Sequence, residues 1–316
     1  MPASPGSTAS SFDEDEINSR VRPHWPSYRS ILKLRGFQLD TVEDVKAFYS
    51  CSANGRIPDY FLVKHSGDTD DALCPDAGLP DNLFRGTRIC DGAKVVIKAV
   101  HLHSRELSVI KFLSTPPLRH DPMNHCIPVL AFIEVAQDSL AFIVMEQASP
   151  LLWSSQLIDD EVPCRLDLFL AALRQCIEHC VFMHKHQVAH LDISLRNLVT
   201  DYQGHYAYID YELSRRFDGG SIRIPEFRTT EIPPECELSN GDCPDPFKAD
   251  VWALAVLILR ACKLAGYCIA ELVQLTRPML NENPADRPSL DEVLRAFDNM
   301  VSIIPNLDQS PDSTHQ

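Results

Sequence analysis

Apolar positions change their period along this chain. Between Leu83 and Met145 they come in short runs. Leu83 to Cys90 and Ala93 to Val100 flank Asp91-Gly92, a pair suited to the left-handed backbone of a tight hairpin turn. Cys126 to Val135 and Leu140 to Met145 are two further strand-like runs, and a short helix is predicted over Ser104 to Leu113. Together they predict a small antiparallel sheet. From Leu166 the period becomes helical, with apolar residues at 166, 169, 170, 173, 177, 180 and 181 forming one stripe of a helix that reaches His184. Short strands at Leu198 to Val199 and Ala207 to Ile209 flank the turn Asp201-Tyr202-Gln203-Gly204, and helices are predicted over Asp250 to Leu264 and Ser289 to Met300. The fold class is therefore α+β, a sheet followed by a mainly helical part. Ahead of the sheet, Tyr28 to Tyr49 has an approximately helical spacing, and Pro58 to Asp81, rich in Asp, Gly and Pro, predicts irregular structure with one strand at Tyr60 to Lys64.

Composition narrows the function classes. The 316 residues, 45% apolar, suffice for one large domain or two units around a cleft. Lys plus Arg number 29 against 44 Asp plus Glu, a net charge of −15, which argues against a nucleic-acid-binding surface. The 11 cysteines are scattered and contain no C-x-x-C pair, so they predict buried thiols in a reducing compartment and not a zinc site. Met1 to Arg20 lacks the basic flank and apolar core of a secretory signal, and the longest apolar run, Val251 to Leu259, falls well short of the ~20 residues that span a bilayer. The expectation is a protein that is not secreted, does not enter membranes, and is cytoplasmic or nuclear. Its expected organisation is a disordered tail at 1–22, an extension at 23–60, a sheet unit at 61–147, a helical unit at 148–304 and a second tail at 305–316.

Phosphoryl transfer from a nucleotide needs few protein groups: a carboxylate beside the acceptor hydroxyl, oxygen ligands for Mg²⁺, a lysine on the phosphates and an acid to hold it. His190-Leu191-Asp192 is followed five residues after the Asp by Asn197, a spacing that lets one loop offer a carboxylate to substrate and an amide oxygen to metal. Asp210 comes 18 residues after Asp192, at the end of the second strand of a hairpin. In the sheet, Val95-Val96-Ile97-Lys98 places a lysine in an apolar strand, and Glu106 stands on the next helix where it can keep that lysine charged. Singly, each has a bland reading: a chance tripeptide in a turn, or a solvent-edge lysine. In register they point to one pocket.

Over about Gly78 to Phe297 these residues resemble the eukaryotic protein-kinase family. The resemblance implies a bilobal fold and an ATP- and Mg²⁺-dependent transfer to a protein hydroxyl. It makes Asp192 the catalytic base, Lys98 the nucleotide lysine and Glu106 its partner, with Asn197 and Asp210 the metal ligands. Met145-Glu146-Gln147 resembles the gatekeeper and hinge that meet adenine. Pro233-Pro234-Glu235 resembles the close of the activation segment, Arg287 in Asp286-Arg287-Pro288 its ion-pair partner, and Asp250 the aspartate that braces the catalytic loop. Val188-Ala189-His190, Asn124-His125-Cys126 and Pro246-Phe247-Lys248-Ala249-Asp250 are similar to a narrower group, the expanded kinase-like proteins of basidiomycete fungi, which carries no defined target.

The sequence also departs from the family pattern. Leu191 replaces the arginine that meets a phosphorylated activation segment, Ser194 replaces a lysine, and Arg196 is the candidate replacement cation. With Leu83 aligned to the residue that roofs adenine, the phosphate-binding loop falls on Asp76, Gly78 and Asp81, of which only Gly78 keeps the pattern. Asp210-Tyr211-Glu212 keeps the metal ligand and aromatic residue but loses the flexible glycine. The activation segment carries Ser214, Ser221, Thr229 and Thr230 among Arg215, Arg216, Arg223 and Arg228, with Arg228 at the family's substrate-facing threonine position. Two other readings stay open: a pseudokinase that binds or scaffolds without turnover, and a small-molecule phosphotransferase, which would share the form of Ile209-Asp210-Tyr211-Glu212.

Overall fold

The structure, a computed structural model, describes residues 14–51, 57–75, 78–147, 165–201, 204–219, 222–238 and 241–303. The expected tail at 305–316, residues 1–13 of the first tail, Asp76, Tyr202, Gln203 and Ser221 lie outside these residues. Residues 14–22 carry a short helix, α1 (Glu14–Ile17), and several contacts with the body of the protein.

The sheet has five antiparallel strands in the order β1 (Phe37–Leu39), β2 (Leu83–Arg88), β3 (Lys94–His101), β5 (Leu140–Glu146) and β4 (Val129–Val135). The Asp91-Gly92 turn joins β2 to β3 as predicted, with Gly92 at φ 73°. Both faces of β3 are buried, which is why its sequence is a nearly unbroken apolar run. Val95, Ile97 and Ala99 point to one face, where Trp25, Tyr28 and Leu32 of α2 (Trp25–Leu34) cover them. Val100 points to the other, against Leu107 and Ile110 of α5 (Arg105–Leu113). Fully burying side chains such as Leu32 and Ile97 stabilises the fold by roughly 1.5–3 kcal/mol each. Trp25 also donates its indole N–H to the carbonyl of Asp81 at 2.9 Å, satisfying the one polar atom it buries.

Two predicted elements differ. The single helical spacing expected over Tyr28 to Tyr49 is α2, then β1, then α3 (Val42–Cys51). The strand expected at Tyr60 to Lys64 is a helix, α4 (Asp59–Lys64). Pro58 in extended conformation leads into it, and only Phe61 turns inward, while Tyr60 and Val63 stand 66% and 76% exposed. One buried residue among the six of Asp59–Lys64 fits a helix face better than the period of two of a strand. Residues 40–82 thus form a long excursion between β1 and β2. Its ends are tied together, since Val42 N–H donates to the Ala72 carbonyl at 2.9 Å and Cys74 N–H to that of Asp40 at 3.1 Å.

The helical part is built on α6 (Leu166–Lys185), which packs against α8 (Pro246–Leu264) and α10 (Leu290–Ile303), with α9 (Ala270–Met279) beside α8. The strand pairs β6 (Val188–Ala189) with β9 (Arg215–Arg216), and β7 (Leu198–Thr200) with β8 (Tyr206–Tyr208), carry the loops that hold Asp192 and Asp210. A short helix α7 (Pro234–Leu238) presents Glu235, which takes two bonds from Arg287 at 2.7 and 2.5 Å. That guanidinium is fully buried and also bonds the carbonyls of Asn281 and Lys248, so its charge has its partners in place. Among the described residues no helix is long and apolar enough to cross a membrane.

Beneath the loops lies a buried polar network on α6. His179, with no exposed surface, accepts the His125 N–H on Nδ1 at 3.1 Å and places Nε2 3.1 Å from the Tyr211 hydroxyl. The rings of His179 and Tyr208 stack at 4.7 Å, and His190 lies 5.1 Å from Tyr211. Burial drives the pKa of both His179 and His190 below the ordinary histidine value.

Two outcomes are expected. Gly86 pairs with Leu39, and a Cβ there would stand 2.5 Å from the Gln38 carbonyl oxygen. Gly86→Ala should therefore push β1 off the sheet and cost about 1–3 kcal/mol of stability in urea unfolding. The histidines set a pH dependence. Below about pH 6.5 the unfolded chain takes up protons that folded His179 and His190 refuse, so stability falls as pH falls, by about 1.4 kcal/mol per pH unit per histidine. Unfolding free energy measured from pH 7.5 to 5.5 should show that slope, with a smaller one in His179→Phe; a flat profile would contradict it.

Candidate functional site

The alternation that buries β3 on both faces sends Lys98 inward on the same side as Val96 and Val100. Its ammonium, on a residue 7% exposed, donates to Glu106 Oε1 at 2.6 Å and to Asp210 Oδ1 at 2.9 Å. Glu106 stands in the first turn of α5, where an acid is favoured by the helix dipole and Ser104 caps the end by accepting the Leu107 N–H at 3.3 Å. Burial alone would strip the proton from Lys98, but the two carboxylates outweigh it and hold its pKa above the usual lysine value. Burial raises Glu106 despite the attraction of Lys98. Burial would raise Asp210 too, but Lys98, with His190 and Arg20 adding to it, brings it below the ordinary aspartate value. Asp210 is thus a carboxylate held ionised in a largely enclosed place.

Asp192 and Asn197 meet on the loop after β6. The Asn197 amide nitrogen donates to Asp192 Oδ2 at 2.8 Å and to its backbone carbonyl at 2.9 Å. That fixes the amide's orientation, and among the described residues its oxygen takes no hydrogen bond. The Ile209 N–H donates to the Asn197 carbonyl at 3.0 Å, so the β7–β8 hairpin links Asn197 directly to the residue before Asp210. Two non-glycine residues of these loops, Leu191 at φ 66° and Asp210 at φ 63°, lie in the left-handed region, which costs about 1–2 kcal/mol each. Asp250, 1% exposed on α8, offsets part of that cost. Its carboxylate accepts the His190 N–H at 2.7 Å, the Leu191 N–H at 2.8 Å and His184 Nε2 at 3.0 Å. The strained turn is therefore held from below by charge-assisted bonds.

Arg196 donates to the Thr230 hydroxyl at 3.0 Å, and the Thr230 N–H donates to Asp192 Oδ1 at 3.2 Å. The residue beside Asp192 is thus Thr230, which counting to Arg228 had missed. The Tyr211 ring packs as expected of the aromatic residue after Asp210, and its extra hydroxyl donates to Cys126 Sγ at 3.0 Å.

Leu83 and Met145 belong to one apolar cluster with Leu79 and Val96. Leu79 and Val96 were not foreseen, although Val96, two residues before Lys98 on the same strand face, was within reach of the period-two rule. The Glu146 and Gln147 amides are both engaged, donating to the carbonyls of Pro128 at 2.9 Å and Lys94 at 3.1 Å. Gly78 is not in a tight hairpin ahead of Leu83. It lies in an exposed turn at the far end of the 40–82 excursion, because the strand that pairs with β2 is Phe37–Leu39. The strand that pairs with β2 lies more than forty residues upstream, which leaves no local pattern in the sequence. Among the described residues no cluster of His, Cys, Asp or Glu suits a metal without further ligands.

No family model matches the chain. It is 24% identical over 180 residues to myosin light chain kinase 2, skeletal/cardiac muscle, of Mus musculus, covering 55% of this chain and 27% of that one. It is 26% identical over 149 residues to the probable cell cycle serine/threonine-protein kinase CDC5 homolog of Encephalitozoon cuniculi, covering 39% of this chain and 31% of that protein. The chain thus spans less than a third of the length of these curated relatives. These distant similarities to protein kinases support a kinase-like function in general terms.

Proposed function

We propose that this chain is a protein kinase of bilobal architecture that transfers the γ-phosphate of ATP, with Mg²⁺, to a protein hydroxyl. The observation that carries the reading is the buried Lys98 ammonium bonded at once to Glu106 at 2.6 Å and to Asp210 at 2.9 Å, drawing β3, α5 and the β8 hairpin to one point. A buried lysine kept charged is suited to phosphate oxygens, and Asp210 kept ionised is suited to a hard cation. The donor set fits Mg²⁺: one carboxylate, Asp210, and one amide oxygen, on Asn197, whose nitrogen is committed to Asp192. When bound, the metal would neutralise phosphate charge and fix the geometry of the transferring group.

The remaining steps are the chain's own. Lys98 would hold the α- and β-phosphates, Glu106 keeping it in place. Leu83, Val96 and Met145, with Leu79, would give the adenine an apolar roof. Asp192, oriented by Asn197, would accept the proton of the acceptor hydroxyl, and Arg196 with Thr230 would define the acceptor's side of the pocket. Pairing of Arg287 with Glu235, which the small-molecule phosphotransferases lack, favours a protein acceptor. Motif stretches such as Asn124-His125-Cys126 support kinship with the kinase-like proteins of basidiomycete fungi; Asn124 donates to the carbonyls of Leu113 and Leu118 at 2.9 Å, closing the end of α5.

A second reading, a pseudokinase that binds or scaffolds, is favoured by one feature: 43 residues, 40–82, separate β1 from β2, and of the phosphate-loop positions 76, 78 and 81 only Gly78 is glycine.

Purified protein with Mg²⁺·ATP and a generic protein substrate should incorporate phosphate, and Asp192→Asn should reduce the rate at least about 100-fold, the scale of lost general base catalysis. Equal rates in the two proteins, with Mg²⁺ or Mn²⁺, would end the catalytic claim. Millimolar Mg²⁺·ATP should also raise the melting temperature, and Lys98→Met should abolish the rise. A shift without transfer would favour the binding module, and no shift would count against a nucleotide site of either kind.

A further inference from the structure

The segment ahead of α2 is bound to two of the elements that form the Lys98 site. Asn18 Oδ1 accepts the N–H of Arg105, the first residue of α5, at 2.8 Å. Two residues on, Arg20 Nη2 reaches Glu212 Oε2 at 3.4 Å, where the family pattern has glycine. Residues 18–21 line a small cavity together with Asn82, Ala99, Ser104, Glu106 and Glu212, and Val21 packs against the apolar cluster under α2. The strap therefore touches the start of the helix that carries Glu106 and the turn that carries Asp210.

We infer that Asn18 to Val21 is an intramolecular strap that keeps α5 and the 210–212 turn closed on Lys98, with Arg20 a positioning residue acting through Glu212. The inference rests on the kinase reading for its consequence, though not for the contacts. A helix held at its first backbone N–H and a turn held at its third residue lose two independent routes of opening. Without the strap, Glu106 and Asp210 are free to part from Lys98, and the phosphate-facing charges disperse. The substitution of glycine by Glu212 then has a role: it exchanges a flexible turn for one latched by a distant cation. Arg20 is half exposed, so the latch is weak enough to be released. Whatever displaces 18–21 would lower activity with no change at the site itself.

The test uses the full chain with Arg20→Glu, Arg20→Lys, Glu212→Arg and the double swap Arg20→Glu/Glu212→Arg. Hydrogen exchange of the 105–108 and 210–214 amides is read without nucleotide, and Mg²⁺·ATP affinity and turnover are read separately. Arg20→Glu should speed exchange in both segments and weaken Mg²⁺·ATP binding roughly three- to five-fold, the size of one exposed ion pair. Arg20→Lys and the double swap should restore both. A reversed charge that leaves exchange and affinity unchanged, or a double swap no better than either single change, overturns the strap. If wild type binds no nucleotide, the kinase reading fails while the exchange data still decide the strap.

Discussion

The structure turns on keeping one ammonium charged inside a sheet covered on both faces. Lys98 stands on a strand whose odd-numbered side chains face α2, and on the other face it lies between Val96 and Val100, leaving it only 7% exposed. Taking such a charge from water costs several kcal/mol unless carboxylates compensate. Glu106 and Asp210 do so from very different distances along the chain, 8 residues downstream on the next helix and 112 residues downstream after a hairpin. Every element that fixes those two carboxylates is thereby recruited: the Ser104 cap, the β7–β8 pair and the Asn197 carbonyl that holds Ile209. On the proposed reading the same arrangement is the nucleotide site, so stability and function draw on one set of bonds.

Much of this was legible in the sequence because it is written locally. The Asp91-Gly92 turn, the apolar run ending in Lys98, and Glu106 on the following helix each follow from short-range pattern. Asp192, Asn197 and Asp210 stand at spacings that a loop and a hairpin can close. The illegible parts depend on partners far away. β1 is three residues, Phe37 to Leu39, too short for any period to appear, and its partner begins at Leu83. Tyr60 to Lys64 is an apolar run in which helix and strand patterns cannot be told apart until burial shows that Phe61 alone turns inward.

On the proposed reading, the departures from the kinase pattern follow a common logic. Tyr211 brings a hydroxyl into a buried aromatic position, and such a group is expensive unless bonded. Here it has Cys126 at 3.0 Å and His179 at 3.1 Å, both supplied from outside the motif. The motif could change because α6 and the Asn124-His125-Cys126 turn had polar atoms to offer. Glu212 follows the same course, its carboxylate answered by Arg20. In each case the local departure is matched by a partner that sequence comparison within the motif would not reveal.

Leu191 extends that logic to control. Where the family pattern has an arginine to hold a phosphorylated segment, Leu191 is 4% exposed and packs with Ile224, Phe227 and Cys243. The Ile224 and Cys243 backbones exchange hydrogen bonds at 2.9 and 2.7 Å, fixing the segment's middle. An apolar contact of this kind needs no added charge to form, and a phosphate placed near it would find no arginine at 191 to meet it. On the proposed reading the segment is therefore kept in place by burial, and the adjustable contact of the site moves elsewhere. The ion pair between Arg20 and Glu212 spans 192 residues with Arg20 50% exposed, whereas the Leu191 cluster is buried. On the proposed reading, the exposed pair is therefore the contact that salt, a competing charge or a bound partner can open at small cost.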